Sequence, residues 1–332
     1  MSHELDFSNG KPAMAYIGFE PWHGFGREMT AEADTETWKK EAGMDWEAKS
    51  APVEFATENK LELFPDRQVL YRSDNGTPLS IVSNKFKVVQ PGMMIDFFGN
   101  LIEKHGFTME TAGCLFGGRM FWALAKTGND FDLAGNDTIA PYAMIVSSVD
   151  GEMSTAVHLT TIRVVCWNTL SMAIGKTGKN AIVTVPHNKI FHPGEAQIKA
   201  GLVEDTWGTF VENANILTGI KIDRDTALDI IVKNMKSEWK DANGDEMKNA
   251  EIEEASYAIR RIMSLYTNES IGNNLLSSKG TAWGLVNAVT QYCDHDAGRV
   301  NTDRSRTFVR AYLGDRAKLK IKVANSLLEL AK

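Results

Sequence analysis

Thr160 to Ala173 reads TTIRVVCWNTLSMA. A cysteine, Cys166, stands where a β-branched run ends, with Asn168 two residues on and His158 upstream. A thiol becomes a nucleophile when a base or the positive end of a helix lowers its pKa, and a helix opening near Trp167 would supply the second. An isolated cysteine in an apolar run is more often a small packing residue. The segment is therefore expected to be a strand-to-helix corner that presents Arg163. An arginine inside an apolar strand has either a buried acidic partner or a ligand to face.

Other groupings offer the same choice between chemistry and packing. Gly175-Lys176-Thr177-Gly178-Lys179-Asn180 resembles a phosphate loop at first sight. Walker A needs four residues between its glycines and a Ser or Thr after the lysine, and here two intervene and Asn180 follows. The short GXXG pattern of a KH domain fits, though the flanking order of elements does not. A basic, glycine-flexible loop that touches an anion remains. Asp241, Asn243 and Asp245 imitate the start of an EF-hand loop, but Glu246 stands where glycine is required and Ile252 where a bidentate Glu is required, which leaves a polar turn. His187 and His192 lie five apart with no carboxylate or cysteine at ligand spacing, and HExxH is absent. No GxSxG, DxD or paired-carboxylate pattern occurs. The residues give no argument for an enzyme, a metal or a cofactor.

Cations with aromatic neighbours are left: Arg119 beside Phe121 and Trp122, and Arg163 near Trp167. Aromatic faces stack on unpaired bases and Arg or Lys pairs with phosphate. On alternating strands such aromatics are as readily core, and that reading is the stronger one for Trp122.

The elements that must position these residues follow from pattern. Residues 1–56 read as an irregular segment with a short helix, Thr35 being its N-cap and Gly43 its stop. Short β-rich runs fill Lys60 to Val89 (LELF, QVLYRS, PLSIVS, KFKVV), with a hairpin at Asp74-Asn75-Gly76. Met94, Phe97, Phe98, Leu101 and Ile102 predict an amphipathic helix over Met93–His105, stopped by Gly106. About four antiparallel strands follow, with a two-residue hairpin at Asp150-Gly151. From Gly194 the period becomes helical, with Asp223 placed to cap one helix. The expected fold is α+β: an antiparallel sheet with packed helices over 57–193, then a mostly helical region over 194–332.

Composition narrows the class. The chain has 332 residues, 43% hydrophobic and 24% charged, as in ordinary globular proteins. Three scattered cysteines make a poor disulfide framework, and no apolar run reaches signal-peptide or membrane-span length, so the expected compartment is the cytoplasm. Net charge is −7 but unevenly spread. Glu28 to Asp66 carries 11 acidic and 4 basic residues, and Glu204 to Glu254 carries 13 and 6. Thr160 to Val203 carries 5 basic against 1 acidic, and Arg299 to Lys332 carries 9 against 3. Such blocks either neutralise one another or mark a face for an anionic partner.

At YRSDNGTPLSIVSNKFKVVQPG, TTIRVVCWNTLSMA and GTAWGLVNAVTQYCDH the sequence resembles the phage/plasmid-like protein family, a domain of unknown function from phages, prophages and plasmids. The opening MSHELDFSNGKPAMAYIGFEPWHGFG is similar too, and the run Arg163 to Leu170 is the most specific element. Where the family has a basic residue, His and Thr after the next strand, this chain has Val185-Pro186-His187-Asn188. The resemblance implies no established activity, cofactor or catalytic residue. It implies a setting among mobile DNA, and the element order over 78–173 is similar to phage single-strand annealing proteins of the Redβ and RecT type.

The expectation is a non-enzymatic, self-associating protein that binds or anneals single-stranded DNA in recombination or replication. Arg163, Lys176, Lys179 and Lys189 would hold phosphates, Arg119 and Trp122 would contribute from the sheet, and Arg304, Arg306 and Arg310 would assist or mediate subunit contacts. The alternatives are an interaction protein that binds a host factor through its acidic regions, and a thiol-dependent enzyme built on Cys166.

Overall fold

The computed structural model describes residues 5–7, 10–18, 25–128, 130–134, 137–163, 168–171, 183–194, 196, 203–236, 238–297 and 314–332. The chain divides into two compact units. The first is Met1–Gly128, Tyr142–His158 and Ala181–Leu202; the second is Asn129–Pro141, Leu159–Asn180 and Val203–Lys332. The architecture is α+β, as expected, with helices concentrated toward the C-terminus.

The first unit opens with strands β1 (Met14–Tyr16) and β2 (Arg27–Glu28), paired in parallel. Helix α1 (Thr35–Glu41) is capped one residue earlier than expected, by Asp34, whose carboxylate accepts from the Thr37 N–H at 2.7 Å. An antiparallel sheet follows, β3 (Ala48–Ala56), β4 (Leu61–Arg72) and β5 (Pro78–Ser83), in that order. β3 occupies a stretch read from sequence as irregular. LELF and QVLYRS are one strand interrupted at Asp66, whose φ is 64°, a conformation unusual for a side chain with a Cβ. The Asp-Asn-Gly turn between β4 and β5 is present, with Gly76 at φ 72°. KFKVV is not a strand: residues 84–89 form a turn and extended coil.

Helix α2 (Met93–His105) has the predicted bounds, and Gly106 ends it in the left-handed region at φ 68°. Met94, Ile95, Phe97 and Phe98 are fully buried where it packs on β6 (Thr108–Leu115) and β7 (Met120–Lys126). These two strands form a hairpin that pairs with β1 on one side. On the other side β7 pairs with Tyr142–Ser148 of β9 (Asp137–Ser148). The sheet continues through β10 (Thr155–Arg163), whose first residues pair with β12 (Val183–Val185). The turn at Asp150-Gly151 is there, but the connection spans 149–154 instead of two residues.

In the second unit, β8 (Phe131–Leu133) pairs with the start of β9. β11 (Asn168–Ser171) pairs with Thr160–Arg163. β11 replaces the predicted helix after Arg163. The β-branched run returns on itself as an antiparallel hairpin with Arg163 opposite Asn168, so its backbone groups are served by strand pairing. Cys166 and Trp167 lie outside the described residues.

The α-helices described in the second unit are α3 (Val203–Gly219), α4 (Arg224–Met235), α5 (Asn249–Ala255), α6 (Tyr257–Ser264), α7 (Ala282–Gln291) and α8 (Asp315–Leu328). Asp223 caps α4 as predicted, accepting from the Thr226 N–H at 2.8 Å. The helical run NAEIEEASYAIRRIMS breaks at Ser256, whose hydroxyl caps α6. All ten residues of α7 are buried, and it packs against α3, α6 and α8. A helix covered on every side is the core of its unit.

Candidate nucleic-acid interface

Four of the predicted site residues fall within the description, three of them in the first unit. Trp122 belongs to the core. It is 8% exposed, its indole N–H donates to Thr111 Oγ1 at 3.3 Å, and its ring lies over Gly113, where a Cβ would stand 2.4 Å from Trp122 Cη2. A ring enclosed in this way is a core side chain, the stronger of the two readings its strand pattern allowed. Arg119 is exposed at the end of the β6–β7 turn, its Nε donating to the Phe116 carbonyl at 3.1 Å. Lys189 is exposed in a turn closed by its own N–H on Pro186 O at 2.9 Å. Arg163 is placed in the second unit by its backbone pairing with Asn168, and its side chain lies outside what is described. Lys176, Lys179, Arg304, Arg306 and Arg310 also lie outside the described residues.

The first unit gathers three loops around His187. Its Nε2 is 2.8 Å from Met153 O and its Nδ1 3.2 Å from Lys87 O, while the Lys87 N–H donates to His187 O at 2.5 Å. The imidazole lies on the Phe86 ring, with centroids 4.4 Å apart and planes 19° from parallel. Loop 84–89, loop 149–154 and turn 186–190 are thereby locked together. The second is tied further: the Val149 N–H donates to Arg119 O at 2.8 Å, and Ser80 Oγ donates to Val149 O at 2.5 Å. Asp150 organises this loop by accepting from the Glu152 N–H at 3.0 Å.

Two cations the sequence reading did not single out, Lys85 and Lys87, flank Phe86 and are exposed. With Lys189 and Arg119 they give four exposed cations on connected loops, against Asp150 and Glu152. Phe86 and His187 are half-buried at their centre. Ammonium and guanidinium groups around a partly open aromatic pair can hold phosphate oxygens while a base lies against the rings. The signal was available in the triplet Lys85-Phe86-Lys87. Its alternation imitates a strand, and only the contacts with His187 show it to be a loop.

The other reactive groups are enclosed. Burial raises both the Cys114 and Cys293 thiols, the latter to about 12, so neither is a nucleophile at neutral pH. The Asp241 carboxylate accepts from the Asn243 and Asp245 N–H groups at 2.8 and 2.9 Å. Those bonds hold its pKa below the ordinary value and make the polar turn that was expected. Among the described residues no three His, Cys, Asp or Glu side chains are grouped to hold a metal ion, and no helix is long and apolar enough to cross a membrane.

Comparison with curated proteins and with solved structures gave no match. Residues 78–315 match the family described as Domain of unknown function (DUF932), a span that takes in β5, α2, the strands from β6 onward, the His187 loops and α3 to α7. The match covers most of the chain, and this protein is a member of the DUF932 family.

Proposed function

We propose that this protein binds single-stranded nucleic acid through the His187 loop cluster. It acts without catalysis, in the cytoplasm, in recombination or replication of the phage or plasmid DNA that its sequence resemblance implies. The observation that carries the reading is the set of exposed cations Lys85, Lys87 and Lys189 around the stacked Phe86–His187 pair. Net charge of −7 sets a condition on it. A chain that repels a polyanion overall must bind it at a local concentration of positive charge, and binding must weaken steeply with salt.

Fluorescence anisotropy of a labelled oligothymidylate, titrated with protein at low salt, tests this. Saturable binding that declines as salt rises is expected. No binding with tens of micromolar protein at low salt would end the proposal.

A further inference from the structure

The sheet β3–β4–β5 turns one face to the core, where Ala48, Leu70, Arg72 and Val82 are buried. The composition of its other face follows from the register, since alternate residues of a strand point the same way. β3 contributes Lys49, Ala51 and Phe55, and β4 contributes Val69 opposite Ala51 and Glu62 opposite Phe55, with Phe64 between these two rows. Ile81 of β5, opposite Val69, extends the first row across the third strand. An antiparallel sheet with one solvated face ordinarily carries polar side chains there. Here Phe55 and Phe64 are 46% exposed and Ile81 62%, and the two phenylalanine rings meet edge to face at 6.3 Å. Large apolar side chains grouped in this way mark an interaction surface, where scattered single ones would not.

The layout of this face indicates its occupant. Phe55 and Phe64 fill the half beyond the register shift at Pro52/Val53, and the smaller Ala51 and Val69 fill the half before it. The exposed Lys49 stands at the far end of the small half, and Glu62 at the far end of the bulky half. Asp66 and Arg67, in the bulge between the halves, cancel in charge. Turned end for end, the face is therefore its own complement: the bulky half of each copy lies over the small half of the other, and Lys49 of each comes beside Glu62 of the other. Glu62 already holds Lys60, and a carboxylate with two oxygens accepts a second cation. The opposite orientation would set Lys49 against Lys49 and phenylalanines against phenylalanines. Pairing along the edge of β3 is disfavoured, because Pro52 has no N–H to donate. We propose that two copies of this chain form a two-fold dimer by packing the outer faces of β3–β4–β5 on each other, as the layers of a β-sandwich pack. The contact is isologous and stops at two copies. Three short strands make a small interface, so the dimer dissociates in the micromolar range. It uses none of Lys85, Lys87 and Lys189, and it stands or falls separately from nucleic-acid binding.

Charge exchange tests it on the full chain without nucleic acid, by analytical ultracentrifugation over a concentration series. Wild type is expected to reach a dimer and nothing larger. Lys49→Glu and Glu62→Lys should each weaken the dimer by about tenfold or more, because like charges then meet. Both reversals in one chain should restore it, since in an isologous contact each pair is then opposite again. Phe64→Ser with Ile81→Ser should also weaken the dimer. Leu63→Ser should not, because Leu63 is 59% exposed on the opposite face of β4. An unchanged circular dichroism spectrum shows in each variant that the fold persists. A wild type still monomeric at about 100 μM overturns the inference. So does a dimer that survives both single reversals, or a double reversal that stays monomeric. Association lost in Leu63→Ser and kept in the outer-face variants overturns it in favour of the opposite face.

Discussion

Asp137 is fully buried, and its Oδ2 accepts from Ser277 Oγ at 2.7 Å and from Trp283 Nε1 at 3.0 Å. One acidic side chain thus joins the start of β9 to α7 across a separation of 146 residues. Asp137→Ala leaves two buried donors without their acceptor. It is expected to lower the unfolding free energy of the second unit by about 3 kcal/mol in a urea titration. A loss below experimental error would show that these donors find other partners. The cysteines give a second expectation at this scale. Cys114 and Cys293 are fully buried, with their thiol pKa values raised by burial. A thiol reagent at neutral pH should leave both unmodified in the native protein, as read by peptide mass analysis, and modify both in denaturant. Rapid native labelling of either would contradict the packing described. Neither Asp137 nor the buried Arg72, which pairs with Asp6 and Asp74, was legible in the sequence. A buried charge has no local signature, because its partner can lie 66 residues away, as Asp6 does from Arg72.

Elements were legible where their signals are local. α2 declared itself by apolar spacing and a glycine stop, and α4 by an aspartate at its N-cap. The Asp223 cap carries a pH dependence whose sign follows from its bonds. The Thr226 backbone N–H holds the Asp223 carboxyl below its ordinary value of 3.8. A depressed pKa in the folded chain makes its contribution fully present above 3.8 and lost as pH falls through the lower folded value. Asp223→Ala should therefore lower the melting temperature at neutral pH, and the gap from wild type should close as pH drops below that point. A gap that widens in acid would contradict the cap. Elements fixed by distant pairing were misread. β3, β11 and the coil 84–89 look locally like loop, helix and strand in turn. What decides them is β4, β10 and His187, the last of which lies 100 residues from Lys87.

At the scale of the molecule, the α+β class and the helical C-terminal region were legible because periodicity changes along the chain. The candidate site was half legible. Arg119 and Lys189 were named from charge and fall on connected loops, whereas Lys85 and Lys87 join them only through the fold. Trp122 went the other way, into the core, because its strand is covered on that face. If nucleic acid is held at the cationic cluster as proposed, binding displaces counterions there, and the number displaced is measurable. The most direct measurement is the slope of log binding constant against log salt for an oligothymidylate, compared between wild type and Lys85→Ala/Lys87→Ala/Lys189→Ala. Each phosphate contact on a single strand contributes about 0.7 to that slope, so the triple variant should bind more weakly with a slope shallower by about 2. A variant whose affinity and slope both equal those of wild type would show that nucleic acid is not held at the His187 loops.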